Sequence, residues 1–349
     1  MVMHGGREMR GTNEDRFLGA LLGMAIGDAL GMPLVGMSQA AIRERYGEVD
    51  RFLARDGLAE SGAKAGEFTD ETEFALCIVE SMTTNRGEID PDNIGARLQY
   101  LAKGESRKWL SAATRAALER ASVDDVYRVP LDEDGPATGD VAARGVPVGL
   151  LASVGSFNDG WLKEAAEAVT RLTHGSPAAI AATTAVAFGV QLAGRDVPPP
   201  TWASETAAFL ETGELAEVLG RVSELDGMAA ITETMSRLGT GAVARESVAS
   251  AFVAAMRADR FEEAVFAAAR AGGATDAVGA IAGALAGARF GASGIPQRLI
   301  DDLEGRIYVS LAAPWFYRAA LHRSSLAIDM RLEGGSGEPP PRPTMPPRQ

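Results

Sequence analysis

The sequence predicts an all-α protein, and its composition and hydrophobic periodicity both point to this class. Alanine and glycine are abundant, while aromatic residues make up only 6% of the 349 residues. Small side chains let helix backbones approach closely, and alanine is the best helix former, so this composition favours packed helices over a sheet sandwich. No segment shows the alternating apolar pattern that is typical of a half-buried strand.

Segments with apolar residues at helical spacing follow one another along most of the chain. The first ends at Gly31 and Pro33, which are ordinary helix stop signals. In the segment 70–82 the apolar side chains share one face: Phe74, Ala75, Ile78, Val79 and Met82. Residues 177–192 are apolar nearly all round and predict a buried central helix. The predicted helices are residues 14–30, 70–82, 161–172, 177–192, 246–256, 261–271 and 276–290.

The helical segments predict one compact multi-helix domain over residues 13–332. A hydrophobic content of 46% is enough to bury a large core. Residues 1–12 are polar and glycine-rich and are expected to be flexible. Residues 333–349 are rich in glycine and proline, and proline lacks the amide donor that a helix needs, so we expect a disordered or extended tail.

The charge of the chain limits its partners. A net charge of −13 repels phosphate backbones, which argues against nucleic acid as a general partner but leaves room for a local pocket for one small phosphate ligand. The single cysteine, Cys77, cannot form an internal disulfide and fits a reducing compartment. It is interpreted as a buried small hydrophobe in preference to a reactive thiol.

Neither a secretion signal nor a membrane span is predicted. Residues 17–26 are apolar, but charged residues bracket them and no cleavage site follows. No stretch reaches the roughly 20 apolar residues that a bilayer requires. The sequence therefore predicts a cytoplasmic protein without a membrane partner, and it leaves the oligomeric state open.

The segment Gly66 to Thr72 is the first that could carry chemistry. Thr69 is a good helix N-cap, and Asp70 and Glu71 would complement the dipole of the first turn, which is the ordinary interpretation. The functional interpretation is that a hydroxyl and two carboxylates converge at one helix start and bind a hard cation such as Mg2+, which prefers oxygen ligands.

Two glycine-containing loops also precede predicted helices. In the late loop, Gly272 and Gly273 allow positive φ and a close approach of backbone to a ligand, while Thr275 could cap the helix and Asp276 complement its dipole. In the earlier loop, Thr138, Gly139, Asp140, Val141 and Ala142 could form a nest of amides for an anion, with Arg144 adding charge. An ordinary connection between helices explains either loop equally well.

The histidines form no metal motif. His174 lies at the start of the predicted buried helix, where a lone histidine is more often a cap or a core hydrogen-bonding residue than a catalyst. His4 and His322 have no supporting neighbours, and three scattered histidines do not predict a zinc site. The sequence also lacks a nucleophile elbow, a P-loop and a dinucleotide fingerprint.

Taken in order, these segments resemble the ADP-ribosylglycohydrolase family. The opening RFLGALLGMAIGDALG (Arg16 to Gly31) is close to the family's first helix, and Thr69 to Thr72 resembles its Thr-Asp-Asp-Thr motif. RGVPVGL (Arg144 to Leu150) resembles the segment after the phosphate loop, and Thr173-His174 the next landmark. GGATDAVGAIAGALAGARFG (Gly272 to Gly291) resembles the late metal motif and its helix.

The resemblance implies a fold, a cofactor and a set of site residues. Family members are all-helical, and two Mg2+ or Mn2+ ions hold the ribose of an ADP-ribosyl substrate and position water for attack at the anomeric carbon. Carried over to this chain, the metal ligands are Thr69, Asp70, Glu71 and Asp276, and Asp70 or Glu71 steers the water. The implied substrate-binding residues are Asp28, Thr138, Gly139, Asp140, Val141, Ala142, His174, Gly272 and Gly273.

The departures from the family pattern concentrate in the late motif. Ala274 stands where the family has an aspartate, and Ala277 where it has a threonine. Glu71 replaces the second aspartate of the early motif, and Val35 stands where many members have a glutamate after the first helix. Losing a carboxylate ligand weakens a metal site, so we expect fewer ions than two, with none as the limiting case.

Three functions follow from these observations. The first is a divergent hydrolase that cleaves a glycosidic bond in an ADP-ribosyl or nucleotide-like substrate, which is a small molecule or is linked to a protein. The second is a catalytically inactive pseudoenzyme that binds ADP-ribose, motivated by Ala274, Ala277 and Val35. The third is a structural or scaffold protein of the same fold.

Overall fold

The structure is a computed structural model that describes residues 13–55, 64–124, 126–132, 134–222, 224–225 and 229–324. The predicted flexible segment 1–12 and tail 333–349 lie outside these residues. The described part of the chain is helical and forms no strand, and its isolated bridges pair Ser38 with Gly272 and Thr138 with Val243. The all-α prediction is therefore confirmed.

The helices in chain order are α1 (Asn13–Gly31), α2 (Gln39–Tyr46), α3 (Asp70–Thr84), α4 (Pro91–Leu101), α5 (Ala112–Asp124), α6 (Gly139–Ala142), α7 (Gly145–Ser153), α8 (Asp159–Thr170), α9 (Pro177–Gly194), α10 (Trp202–Leu210), α11 (Glu214–Val222), α12 (Ile231–Leu238), α13 (Ala244–Arg257), α14 (Phe261–Arg270), α15 (Thr275–Phe290), α16 (Gln297–Asp301) and α17 (Arg306–Arg323).

Every helix predicted from periodicity is present, with ends within two residues of the prediction. The long helix α17 was not predicted. It contains Pro314, which ordinarily interrupts a helix, and it leaves Ile307, Leu311 and Trp315 exposed. Because its apolar residues do not all face the core, its sequence lacks the one-sided pattern on which such predictions depend.

The centre of the fold is an antiparallel pair of helices, α1 and α15, which contact each other through glycines. The facing pairs are Gly19 with Gly287, Gly23 with Gly283, and Gly27 with Gly279. A Cβ added at any of these positions would lie under 3.0 Å from the opposite backbone, closer than real side chains allow. The four-residue spacing keeps each row on one helix face. The end of α1 consequently lies beside the start of α15.

Other helices surround this pair. Helices α9, α13 and α14 pack against α15, while α14 and α17 pack against α1. By length and composition alone, α1 with its following turn and α9 could each cross a membrane, but 94% and 72% of their apolar windows are buried inside the fold. Core helices of soluble proteins have the same character, so this is weak evidence for a membrane span.

Candidate functional site

The buried carboxylate of Asp28 joins the end of α1 to the start of α3. It accepts hydrogen bonds from the Thr69 amide (3.0 Å) and hydroxyl (2.8 Å) and from the Thr72 amide (3.3 Å) and hydroxyl (2.6 Å). The Thr69 hydroxyl also contacts the carboxylate of Glu71. Thr69 occupies the N-cap position but makes no side-chain cap, so the predicted capping role is wrong. Its hydroxyl belongs to a polar cluster with two carboxylates.

The start of α15 is arranged differently. The N-cap position is Ala274, which has no polar side chain, and the hydroxyl of Thr275 donates to the Gly31 carbonyl oxygen at 2.7 Å. The predicted cap by Thr275 is therefore also wrong, since this hydroxyl joins α15 to α1. Asp276 accepts a hydrogen bond from the Ala277 amide at 2.8 Å. It is the carboxylate that α15 contributes in its first turn.

A cavity of about 290 Å³ lies between the two helix starts. Its lining includes Asp70 and Glu71 from α3 and Asp276 from α15, so residues more than 200 positions apart face the same space. The full lining is Val35, Asp70, Glu71, Trp109, Ser111, Ala113, Pro136, Thr138, Gly139, Asp140, His174, Ala242, Ala274, Asp276 and Ala277. The predicted proximity of the two motifs is present in this structure.

Of the residues predicted to bind substrate, the fold brings Thr138, Gly139, Asp140 and His174 to this cavity. Asp28 and the metal candidate Thr69 lie in the polar cluster behind the lining. The remaining predicted residues do not border the cavity: Val141, Ala142, Gly272 and Gly273. The two late glycines do have positive φ, 78° and 79°, but they pack closely against the backbone of residues 37–39 and Thr240.

Sequence reasoning missed Trp109 and Ser111, which lie in the connection before α5. That connection carries no motif or periodicity from which their position could be predicted. The positions identified as departures from the family pattern, Val35, Ala274 and Ala277, all border the cavity. The loss of polar groups in the sequence therefore changes the wall of the site itself.

The pKa values of four carboxylates around the cavity are raised, by burial and by the charges of the neighbouring acids. Burial, together with the charge of Asp276, raises the pKa of Asp28 to about 7, although hydrogen bonds from Thr72 and Thr69 oppose the shift. Burial also raises the pKa of Asp276 to about 6. The pKa values of Asp70 and Glu71 lie well above their usual range because of burial and the neighbouring acids. A positive charge at this position would relieve the repulsion.

His174 borders the cavity, whereas Arg144 is buried outside its lining. Arg144 is buried over the ring of Phe74, with 4.4 Å from its guanidinium carbon to the ring centre, and donates to the Thr173 hydroxyl. Burial lowers its pKa to about 10, which leaves it charged at neutral pH. Burial and the charge of Arg144 lower the pKa of His174 to about 4, so His174 is neutral and can hydrogen-bond without adding charge. Its Nδ1 lies 2.8 Å from the Thr173 hydroxyl.

The donor chemistry of the cavity fits a hard divalent cation. Carboxylate and hydroxyl oxygens are the ligands that Mg2+ prefers, and the Oδ2 atom of Asp140 is buried with no hydrogen-bond partner. The site is not closed, however. Within the residues that the structure describes, no three His, Cys, Asp or Glu side chains are placed to hold one ion. A single cation with water in several coordination positions fits this donor set better than two ions.

The sequence comparisons agree with this combination of an all-helical fold and a carboxylate-lined cleft. The chain belongs to the ADP-ribosylglycohydrolase family, whose model matches residues 9–328. An uncharacterized protein of Archaeoglobus fulgidus is 31% identical over 318 residues, which cover 87% of this chain and 96% of that protein. The ADP-ribosyl-[dinitrogen reductase] glycohydrolase of Rhodospirillum rubrum is 27% identical, covering 84% of this chain and 92% of its own.

A solved structure gives the same result for the fold. An ADP-ribosylglycohydrolase-related protein complex contains a chain that is 31% identical, with a TM-score of 0.69. The match covers 88% of this chain and 99% of the chain in that structure. The resemblance inferred from the sequence motifs is confirmed.

Proposed function

We propose that this protein is a divergent ADP-ribosylglycohydrolase-like hydrolase that cleaves a glycosidic bond in an ADP-ribosyl or nucleotide-like substrate. The observation that carries the proposal is the shared cavity, which Asp70 and Glu71 line from one side and Asp276 from another. Membership of a glycohydrolase family supports this reaction class. The substrate is either a small molecule or ADP-ribose linked to a protein.

Each side chain of the site has a separate role in the proposed reaction. Asp28 positions the start of α3 by accepting four hydrogen bonds from Thr69 and Thr72. Asp70 or Glu71 orients the attacking water and accepts its proton. His174, neutral at physiological pH, contacts the ribose or the base. Of residues 138–142, Thr138, Gly139 and Asp140 border the cavity and would face the phosphates.

One Mg2+ or Mn2+ is the cofactor that the acidic cluster fits. Its predicted ligands are Thr69, Asp70, Glu71 and Asp276. Since no three acidic side chains among the described residues are grouped around one point, one or two carboxylates would contact it directly and water would complete the coordination. When bound it would polarise the water and orient the sugar hydroxyls. The raised pKa values of Asp70 and Glu71 support this assignment, because both carboxylates are more basic than usual until a positive charge lies nearby. We place the reaction in the cytoplasm, without a nucleic-acid or membrane partner.

A catalytically inactive ADP-ribose-binding protein is the second candidate. It is favoured by the apolar side chains of Val35, Ala274 and Ala277, which line the cavity where the family pattern has oxygen donors. Such a wall can still accept a nucleotide while failing to activate water. A purely structural protein would need neither a nucleotide-binding cavity nor a group that activates water.

Calorimetry and a hydrolysis assay separate these functions. The hydrolase should bind Mn2+ and ADP-ribose and release ADP-ribose from ADP-ribosyl-arginine or ADP-ribosyl-serine, and Asp70→Asn should abolish turnover. The matched control is Asp92→Asn, which removes the same charge from an exposed position in the first turn of α4. ADP-ribose binding without metal binding or turnover would identify the pseudoenzyme. Absence of both binding and turnover would leave only the structural role.

A further inference from the structure

Asp140 is a carboxylate of the cavity for which the family pattern provides no metal role. It lies on the short helix α6 and borders the same space as Asp70 and Asp276. Its Oδ2 atom is buried and has no hydrogen-bond partner. Burying a carboxylate oxygen without a hydrogen-bond partner costs free energy. A bound ligand that contacts this atom would reduce that cost.

The position of α6 depends on the small residue at 277. The Gly139 amide donates to the Ala242 carbonyl oxygen at 3.1 Å, and Thr138 pairs with Val243, which together fix the loop. A Cβ added to Gly139 would lie 2.8 Å from the Cβ of Ala277 and 2.7 Å from the Ser247 hydroxyl oxygen. Because Ala277 replaces the larger threonine of the family pattern, the start of α6 packs directly against the start of α15.

Asp140 lies beside the late motif. The contact between Gly139 and Ala277 joins the residue before Asp140 to the residue after Asp276. Asp140, Asp276 and Asp70 also border the same cavity. Asp140 is therefore placed next to the one carboxylate that α15 retains.

We propose that Asp140 supplies from α6 the carboxylate that α15 has lost at Ala274, and that it binds the divalent cation together with Asp276, with water in the remaining coordination positions. This inference rests on the proposed function, since it requires that a cation binds in the cavity. It replaces the phosphate-binding role predicted for this one residue, because a carboxylate that adds to a cluster of acids repels an anionic phosphate. The loop changes from an anion site to a cation site at this position.

Mn2+ titration of the purified full-length protein by isothermal calorimetry tests the proposal. Asp140→Asn preserves the shape of the side chain and removes its charge, and it should raise the Kd for Mn2+ by about 10-fold or more, the loss expected when a metal site loses a supporting group. Asp92→Asn should leave the Kd unchanged. Without metal, Asp140→Asn should melt at the same temperature as the wild type or higher, because it removes a repelling charge.

A compensating change makes the test specific. Ala274→Asp introduces a carboxylate on α15 at the lining of the same cavity. If Asp140 substitutes for that ligand, Ala274→Asp should restore most of the Mn2+ affinity lost in Asp140→Asn, whereas Ala274→Asn should not.

The outcomes distinguish this inference from the proposed function. If the wild type binds Mn2+ and Asp140→Asn binds it equally well, Asp140 is not a ligand but the hydrolase proposal stands. If the wild type binds no Mn2+, both are overturned. If Asp140→Asn melts well below the wild type without metal, and Ala274→Asp fails to restore binding, the role of Asp140 is structural.

Discussion

The starts of α3 and α15 face the same cavity, yet they differ in how their oxygen atoms are held. At α3, Thr69 and Thr72 donate hydrogen bonds to Asp28, so the donors are held together by a buried carboxylate. At α15, alanines occupy positions 274 and 277 on either side of Thr275 and Asp276, and the Thr275 hydroxyl donates to the Gly31 carbonyl oxygen of α1. The start of α3 is held by a network of polar side chains, whereas the start of α15 serves mainly to pack against α1.

This difference shows that packing and chemistry occupy separate faces of α15. The glycines that contact α1 are intact along the helix, while the residues at its first turn that face the cavity have lost oxygen atoms. Because the close backbone contacts with α1 are made at Gly279, Gly283 and Gly287, the ligands at positions 274 and 277 can be lost while these contacts are kept. The fold can therefore persist while its metal chemistry changes.

The packing face should be the more sensitive of the two. Gly27→Ala places a methyl group against the Gly279 backbone, and neither helix can yield because the contact is backbone to backbone. We expect it to lower the free energy of unfolding by about 3 kcal/mol, the upper part of the range for overpacked cores. The measurement is urea denaturation.

The matched control for this substitution is Gly220→Ala on α11, where the nearest atom to an added Cβ is 3.9 Å away. It should stabilise the protein by about 0.5–1 kcal/mol through helix propensity. Equal effects of the two substitutions would mean that the glycine contacts do not determine the stability of the α1–α15 pair.

The fold was predictable from the sequence to the extent that helices are one-sided or wholly buried. The apolar residues of a helix such as α9 predict it from sequence alone. Those of α17 do not, because Pro314 interrupts its pattern and several of its apolar residues face solvent. The site was predictable where residues follow recognisable motifs, as Asp70 and Asp276 do. Trp109 was not, because its place at the cavity depends on a connection that carries no local pattern.

The hydroxyls show a second limit of sequence reasoning. Thr69 and Thr275 both precede acidic residues at helix starts, a pattern that predicts capping. In the structure both hydroxyls make tertiary hydrogen bonds instead, to Asp28 and to the Gly31 carbonyl oxygen. Local sequence cannot reveal such partners because they are 41 and 244 residues away.

The polar cluster at α3 should depend on its hydroxyl. Thr69→Val keeps the shape of the side chain but removes a hydrogen bond from buried Asp28, which should cost about 2 kcal/mol of unfolding free energy. Thr84→Val on the same helix is the control, since its hydroxyl is exposed and has no carboxylate partner: it donates to carbonyls within the helix and accepts a long hydrogen bond from Arg97 at 3.4 Å. If both variants unfold at the same urea concentration, the cluster does not stabilise the start of α3.

At the start of α15, the two alanines should respond in opposite ways. Ala274→Asp should raise the affinity for Mn2+, whereas Ala277→Thr should lower it, because Gly139 already packs against Ala277 and a branched side chain would displace Asp140. We expect Ala277→Thr to cost about 1 kcal/mol of unfolding free energy. Tighter Mn2+ binding by Ala277→Thr would show that the threonine of the family pattern matters more than the position of α6.

The smallest expected effect is the pH dependence of the metal-free protein. The pKa of Asp28 rises from 3.8 to about 7 on folding, so between these values the folded state binds more protons than the unfolded state. Stability contributed by this proton is present at low pH and is lost as the pH rises through about 7.

Between about pH 6 and 8, where most other carboxylates are ionised in both states, the melting temperature should fall by about 2 °C or more. Asp28→Asn should make this decline shallower and leave the part contributed by the other acids of the cluster, Asp70, Glu71 and Asp276, whose pKa values are also raised. Asp92→Asn should leave the decline unchanged, while Mn2+ should reduce it in the wild type by supplying positive charge to the cluster. A melting temperature that is constant or rises over this interval would mean that Asp28 is ionised in the folded protein, and that the repulsion between the two helix starts is already balanced without a cation.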